Sequence, residues 1–143
     1  KREVELAVIG LAAAVAAALS GPAGPARADM MSACAPAIGQ FCADVRRGRG
    51  RLAACLASQR PALASDCRAE VLAAGRSPLV PRTARAVLAP GFSAPLPQAC
   101  VEAAARFCPG LPSDGGRVLA CLYARSDHVD APCVSAVRSA VGR

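Results

Sequence analysis

CAPAIGQFCADVRRGRGRLAACLASQRPALASDC, residues 34–67, carries four cysteines in the pattern Cys-x7-Cys-x12-Cys-x11-Cys. The chain writes this pattern a second time at 100–133, as CVEAAARFCPGLPSDGGRVLACLYARSDHVDAPC, displaced by 66 residues. Cys34, Cys42, Cys55 and Cys67 become Cys100, Cys108, Cys121 and Cys133, which accounts for all eight cysteines. Their neighbours travel with them. Phe41 returns as Phe107, Gly50-Arg51 as Gly116-Arg117, Ala54-Cys55-Leu56 as Ala120-Cys121-Leu122, and Val71 as Val137. Identical gaps with matched neighbours indicate an internal duplication.

Within each copy the apolar spacing is helical. Cys34, Ile38, Phe41, Cys42 and Val45 fall on one face of a helix predicted over 32–45, with Ser32 as its cap and Pro36 tolerated in its first turn. The second copy places Cys100, Ala104, Phe107, Cys108 and Leu111 in the same way. A glycine-bearing turn at 46–50, matched by 109–116, leads into a second helix over 51–59 that aligns Leu52, Cys55 and Leu56. A third helix carries Cys67 and Val71, or Cys133, Val137 and Val141, with Ser65 and Asp130 as candidate caps. The expected fold is all-α: two tandem disulfide-stapled repeats, each of about three short helices. Repeat 1 spans 29–76 and repeat 2 spans 99–143. Between them, 77–98 reads as a proline-rich linker with a short helix over 81–89, and Phe92 and Leu96 are its candidates for joining the two repeats.

Four cysteines per copy allow three pairings, and the count alone does not choose among them. Hairpin geometry leans one way. With a turn centred near Gly48, Cys42 and Cys55 lie at one level, while Cys34 lies at the far end, where the third helix begins near Cys67. The nested pairing Cys42–Cys55 with Cys34–Cys67 follows, and in the second copy Cys108–Cys121 with Cys100–Cys133. In the chain-entropy description each inner loop contributes about 3 kcal/mol and each outer loop somewhat more. A chain with no tryptophan, one tyrosine and three phenylalanines has a thin apolar core, so such staples matter.

Residues 1–28 look like a secretory leader. Lys1 and Arg2 precede an apolar run at 6–19, then Gly21-Pro22 and Ala26-Arg27-Ala28. The run is shorter than the roughly 20 apolar residues that cross a bilayer. Cleavage near Ala28 would leave no stable membrane span, and the expected destination is secreted or periplasmic, where cysteines pair. Without the leader the net charge is +6, from fourteen arginines against eight acids. That excess permits attraction to anionic surfaces.

The string Cys34-x7-Cys42, Gly50-Arg51-Leu52-x2-Cys55-Leu56, x10-Cys67-Arg68 resembles the cysteine-rich repeat of the Golgi sialoglycoprotein also described as a cysteine-rich fibroblast growth factor receptor. Small secreted bacterial proteins carry similar repeats. The resemblance covers about 34 residues twice, a little over half of the chain beyond the leader. The second copy departs from it at Pro109-Gly110-Leu111-Pro112, where charged turn residues are the family pattern. In the animal relative a long array of such repeats binds growth factors and selectins. For this chain the resemblance implies a stapled helical module used for binding or structure, with no enzymatic activity. The matching positions are the eight cysteines with Phe41, Phe107, Gly50, Gly116, Arg51, Arg117, Leu56 and Leu122, and all of them look architectural.

Chemistry-bearing residues are few. The single histidine, His128, sits in the loop Ser126-Asp127-His128-Val129-Asp130, and sequence neighbours do not assemble a triad, so no catalytic site and no cofactor are expected. No cysteine pair is closer than eight residues, which excludes the short redox and structural-zinc spacings. The alternative from another class is periplasmic thiol-based handling of Cu(I) or zinc, with Met30 and Met31 near Cys34 as soft ligands; no metal site is assigned. The sharpest feature outside the cysteines is the cluster Arg46, Arg47, Arg49 and Arg51, a candidate grip for phosphate or carboxylate groups. The plainer reading is a solvated basic turn. The partner expected is an unidentified protein or an anionic envelope component. Nucleic acid is disfavoured, because the cluster has no aromatic stacking partners.

Overall fold

The computed structural model describes residues 29–113 and 115–142, so the expected leader lies outside the described residues. These residues form an all-α structure. In chain order it contains α1 (Met30–Ala33), α2 (Ala35–Phe41), α3 (Arg51–Ser58), α4 (Ser65–Arg76), α5 (Arg82–Leu88), α6 (Val101–Phe107), α7 (Gly116–Ala124) and α8 (Ala131–Val141). Short 3-10 turns at Arg60–Ala62 and Gln98–Cys100 join α3 to α4 and lead into α6.

The first helix differs from the one expected over 32–45. It is split at Cys34, whose backbone leaves the helical region, and it ends at Phe41. Pro36 accounts for the split, because it has no N–H to continue the ladder and its ring crowds the preceding turn. Asp29, not Ser32, is the cap: its carboxylate accepts from the Ser32 N–H at 2.9 Å. Ser65 is the first residue of α4, not its cap, and Asp130 holds the cap position of α8 without a side-chain bond. Leu111 lies beyond the end of α6.

Four disulfides close, Cys34–Cys67, Cys42–Cys55, Cys100–Cys133 and Cys108–Cys121. The two outer bridges each hold Cα atoms 4.7 Å apart, and the inner bridges 6.0 and 6.1 Å. All eight sulfurs are spent in this way, and no cysteine is more than 5% exposed. Four buried bridges fit a protein of an oxidising compartment, extracellular or periplasmic. No helix among the described residues is long and apolar enough to cross a membrane.

The sequence leaves open whether the two cysteine segments touch; in the structure they do, along α3 and α7. Arg117 at the start of α7 reaches Ser58 at the end of α3, and Tyr123 near the end of α7 reaches Arg49 just before α3, so the helices run antiparallel. Buried alanines Ala54 and Ala57 on α3 share one core cluster with Ala120 and Ala124 on α7. Small side chains let the two backbones approach closely, so each cysteine segment supplies a wall to the other.

The connecting segment is packed against this pair. Its helix α5 touches α3, α4, α7 and α8. Phe92 lies against both core clusters, and Leu96 lies against the second. The paired glycines explain how the connector fits so close. A Cβ on Gly50 would sit 2.8 Å from Ala84 and 2.9 Å from Val80, and a Cβ on Gly116 would overlap the Phe92 carbonyl and ring. One glycine position, 66 residues apart, thus seats two different parts of the same strap.

Candidate functional site

The arginine turn is built from an unusual run of backbone. Gly48, Arg49 and Gly50 take φ of 99°, 56° and 73°, all left-handed, and Arg49 is the only non-glycine among the described residues to do so. Two glycines adopt such angles at little cost, whereas an L-residue with a Cβ loses about 1–2 kcal/mol there. The turn feeds directly into α3, with the Arg51 N–H donating to Gly48 O at 3.1 Å.

The turn is also held by side chains. Arg51 donates through Nε to Arg46 O at 3.1 Å and through Nη2 to Arg47 O at 3.0 Å, so its guanidinium is committed inward. From α7, the Tyr123 hydroxyl donates to Arg49 O at 2.6 Å. Exposed Arg46 lies 3.8 Å from the largely covered carboxylate of Asp127, a loose pair. Arg47 and Arg49 keep exposed side chains. Of the four arginines expected to form an anion grip, the structure leaves two fully presented, one offset by a carboxylate and one used as a clamp.

The end of α7 adds a second fastening. Arg125 donates to Phe41 O at 3.2 Å and to both Asp44 oxygens at 3.2 and 3.3 Å. Its Nη1 also lies 3.4 Å from Cys121 Sγ and 3.9 Å from Cys55 Sγ, between the inner disulfides. A cation at the carbonyl end of α2 meets the negative end of that helix. The net effect fixes both flanks of the turn to the second cysteine segment.

Electrostatically the turn is joined by a residue from the far end of the chain. Burial pushes the Tyr123 phenol above its ordinary value of 10, and the positive charges of Arg49, Arg51 and Arg138 pull it part of the way back. Exposed Arg138, on α8, therefore adds to the same basic field. Tyr123, Arg117, Arg125 and Arg138 lie outside the arginine cluster that the sequence offers as a grip. Only Arg117 left a trace in the sequence, as the partner of Arg51 in the doubled cysteine pattern.

The other candidates resolve plainly. His128 lies 3.9 Å from Asp127, with its ring 6.3 Å from that of Phe107, in an open cleft of about 270 Å³ shared with Glu102, Arg106 and Asp130. Among the described residues no group of three or more histidine, cysteine or acidic side chains is placed to hold a metal ion. Cys34, beside Met30 and Met31, is closed to Cys67. No family model matches the chain, and neither a curated protein nor a solved structure matches it.

Proposed function

We propose that this chain is a secreted or periplasmic, non-enzymatic binding module, two tandem repeats of the cysteine-rich type it resembles, whose working surface is the arginine turn. Its partner on this reading is an anionic component of the cell envelope. The observation that carries the reading is Arg49: an arginine occupies left-handed backbone between two glycines, where a third glycine would fold with less strain. A strained position is held by the clamp from Arg51 and the bond from Tyr123, and the side chain it presents is a guanidinium. Arginine offers phosphate and carboxylate a planar, two-point grip. Against thiol-based handling of Cu(I) or zinc stands the pairing of all eight sulfurs, since disulfide sulfur is a poor ligand compared with thiolate.

The test is retention of the disulfide-closed protein on phosphocellulose in a salt gradient. Arg47→Glu/Arg49→Glu should elute well before Arg68→Glu/Arg106→Glu, which removes the same charge from exposed sites elsewhere. Co-elution of the two variants would reduce the turn to a share of the net charge and sink the reading.

A further inference from the structure

A second feature adjoins the turn. Leu79 is 92% exposed, far more than the other exposed large apolar residues, Met31 at 38% and Val101 at 46%. It sits in the sequence Pro78-Leu79-Val80-Pro81, so a proline bounds the turn on either side. The turn is ordered: the Leu79 N–H donates to Ser77 Oγ at 3.3 Å and the Val80 N–H to Ser77 O at 3.2 Å. Its neighbour Val80 lies against Gly50 in the arginine turn. Through that contact the turn that carries exposed Leu79 adjoins the turn that carries exposed Arg47 and Arg49. Exposed Arg76, which ends α4, precedes Leu79 by three residues, and exposed Arg82, which opens α5, follows it by three. The chain contains no acid from Val71 to Val101, and at the arginine turn Asp44 faces Arg125 and Asp127 faces Arg46.

We propose that Leu79 and the arginines around it, Arg47, Arg49, Arg76 and Arg82, form a docking face for an anionic phospholipid surface, an inference that rests on the binding-module reading. The arginines meet the phosphate layer, and the leucine enters the boundary between headgroups and acyl chains. Exposed apolar side chains ringed by cations are what such an interface rewards, since burial of the apolar group and attraction to anionic lipid add. With one leucine and a handful of charges the attachment is reversible and weakens with salt.

The experiment is co-sedimentation of the disulfide-closed protein, purified without detergent, with vesicles of phosphatidylglycerol and phosphatidylcholine or of phosphatidylcholine alone. The protein should pellet with the anionic vesicles only, and high salt should release it. Leu79→Ser should weaken partitioning about ten-fold, from loss of one buried leucine side chain. Arg47→Gln and Arg49→Gln should each weaken it about five-fold. All three side chains are exposed, and an unchanged helical circular dichroism spectrum verifies the fold of each variant. Equal binding to neutral vesicles, or no binding to either, overturns the proposal. So does a silent Leu79→Ser beside a disabled arginine variant, which would mark a phosphate contact without insertion. In each of those cases the phosphocellulose result stands separately, and only its failure would remove the binding-module reading as well.

Discussion

The Tyr123 hydroxyl donates to the Arg49 carbonyl at 2.6 Å, across 74 residues of chain. This bond ties the left-handed backbone at 48–50 to the antiparallel pair of α3 and α7, and it sets the position from which Arg47 and Arg49 project. Stability of the pair and the shape of the arginine turn are therefore coupled.

The coupling has a pH signature. Burial raises the Tyr123 phenol above its ordinary value of 10 in the folded protein, so the folded state holds this proton more tightly than the unfolded chain does. Its contribution to stability is complete below about pH 10 and is lost as pH rises through the raised folded value. Because Tyr123 is the only tyrosine and there is no tryptophan, phenolate absorbance reports this one group. The midpoint should lie above that of the unfolded chain, and Tyr123→Phe should remove the associated alkaline fall in melting temperature. Loss of the hydrogen bond should itself cost about 1 kcal/mol at neutral pH.

Arg125 and Asp44 form an unequal pair. The Arg125 side chain is 12% exposed and also serves Phe41 O, whereas Asp44 is 64% exposed. Arg125→Ala removes packing, a helix-end cation and a charged hydrogen bond, and should destabilise by about 2–3 kcal/mol in urea unfolding. Asp44→Ala removes only the exposed half and should cost less than about 1 kcal/mol. Equal costs would show that the ion pair itself, not the carbonyl and packing contacts, dominates.

How much of this was legible depended on what repeats. The cysteine ladder and the helical spacing at Ile38, Phe41, Leu52 and Leu56 announce short helices stapled at fixed levels, because covalent spacing and 3.6-residue periodicity are local properties. The seam between the cysteine segments is not local. It is made of Ala54, Ala57, Ala120 and Ala124, residues equally at home on any helix, and it is closed by arginines that look like surface charges until their acceptors, 59 and 84 residues away, are known. The break at Cys34 was hidden for a different reason. Proline at 36 suits the first turn of a helix, and here that helix begins at Ala35 instead of Ser32.

The glycines at the connector give a test of opposite signs. Gly116→Ala would drive a methyl into the Phe92 carbonyl and ring, and should destabilise by about 2–3 kcal/mol as the strap is displaced. Gly39, inside α2, faces open space, with nothing within 4 Å of where a Cβ would project. Gly39→Ala should therefore stabilise by about 0.5–1 kcal/mol through helix propensity. Chemical denaturation of both variants settles whether the connector is clamped or merely adjacent.

The disulfides are open to direct measurement. Alkylation without reduction should label no cysteine, and the chain should weigh eight hydrogens less than its reduced form. Replacing the pair Cys34 and Cys67 should cost about 4 kcal/mol, and the shorter loop of Cys42 and Cys55 about 3 kcal/mol, in the chain-entropy description. Labelling of several cysteines, and above all labelling that appears only after a metal is stripped, would promote thiol-based metal handling above the binding-module reading.

Arg49 supplies the strictest test, because it separates folding from binding at one residue. If its side chain is held in left-handed backbone for the sake of a ligand, Arg49→Gly should relieve that strain and stabilise the protein. The gain is the αL penalty of about 1–2 kcal/mol, less the extra freedom glycine gives the unfolded chain, which leaves up to about 1 kcal/mol. The same substitution removes a guanidinium from the exposed turn and should shorten retention on phosphocellulose. A variant that is more stable and binds less well is the expected result. Unchanged retention would mean that the arginine is tolerated at this position, not used there.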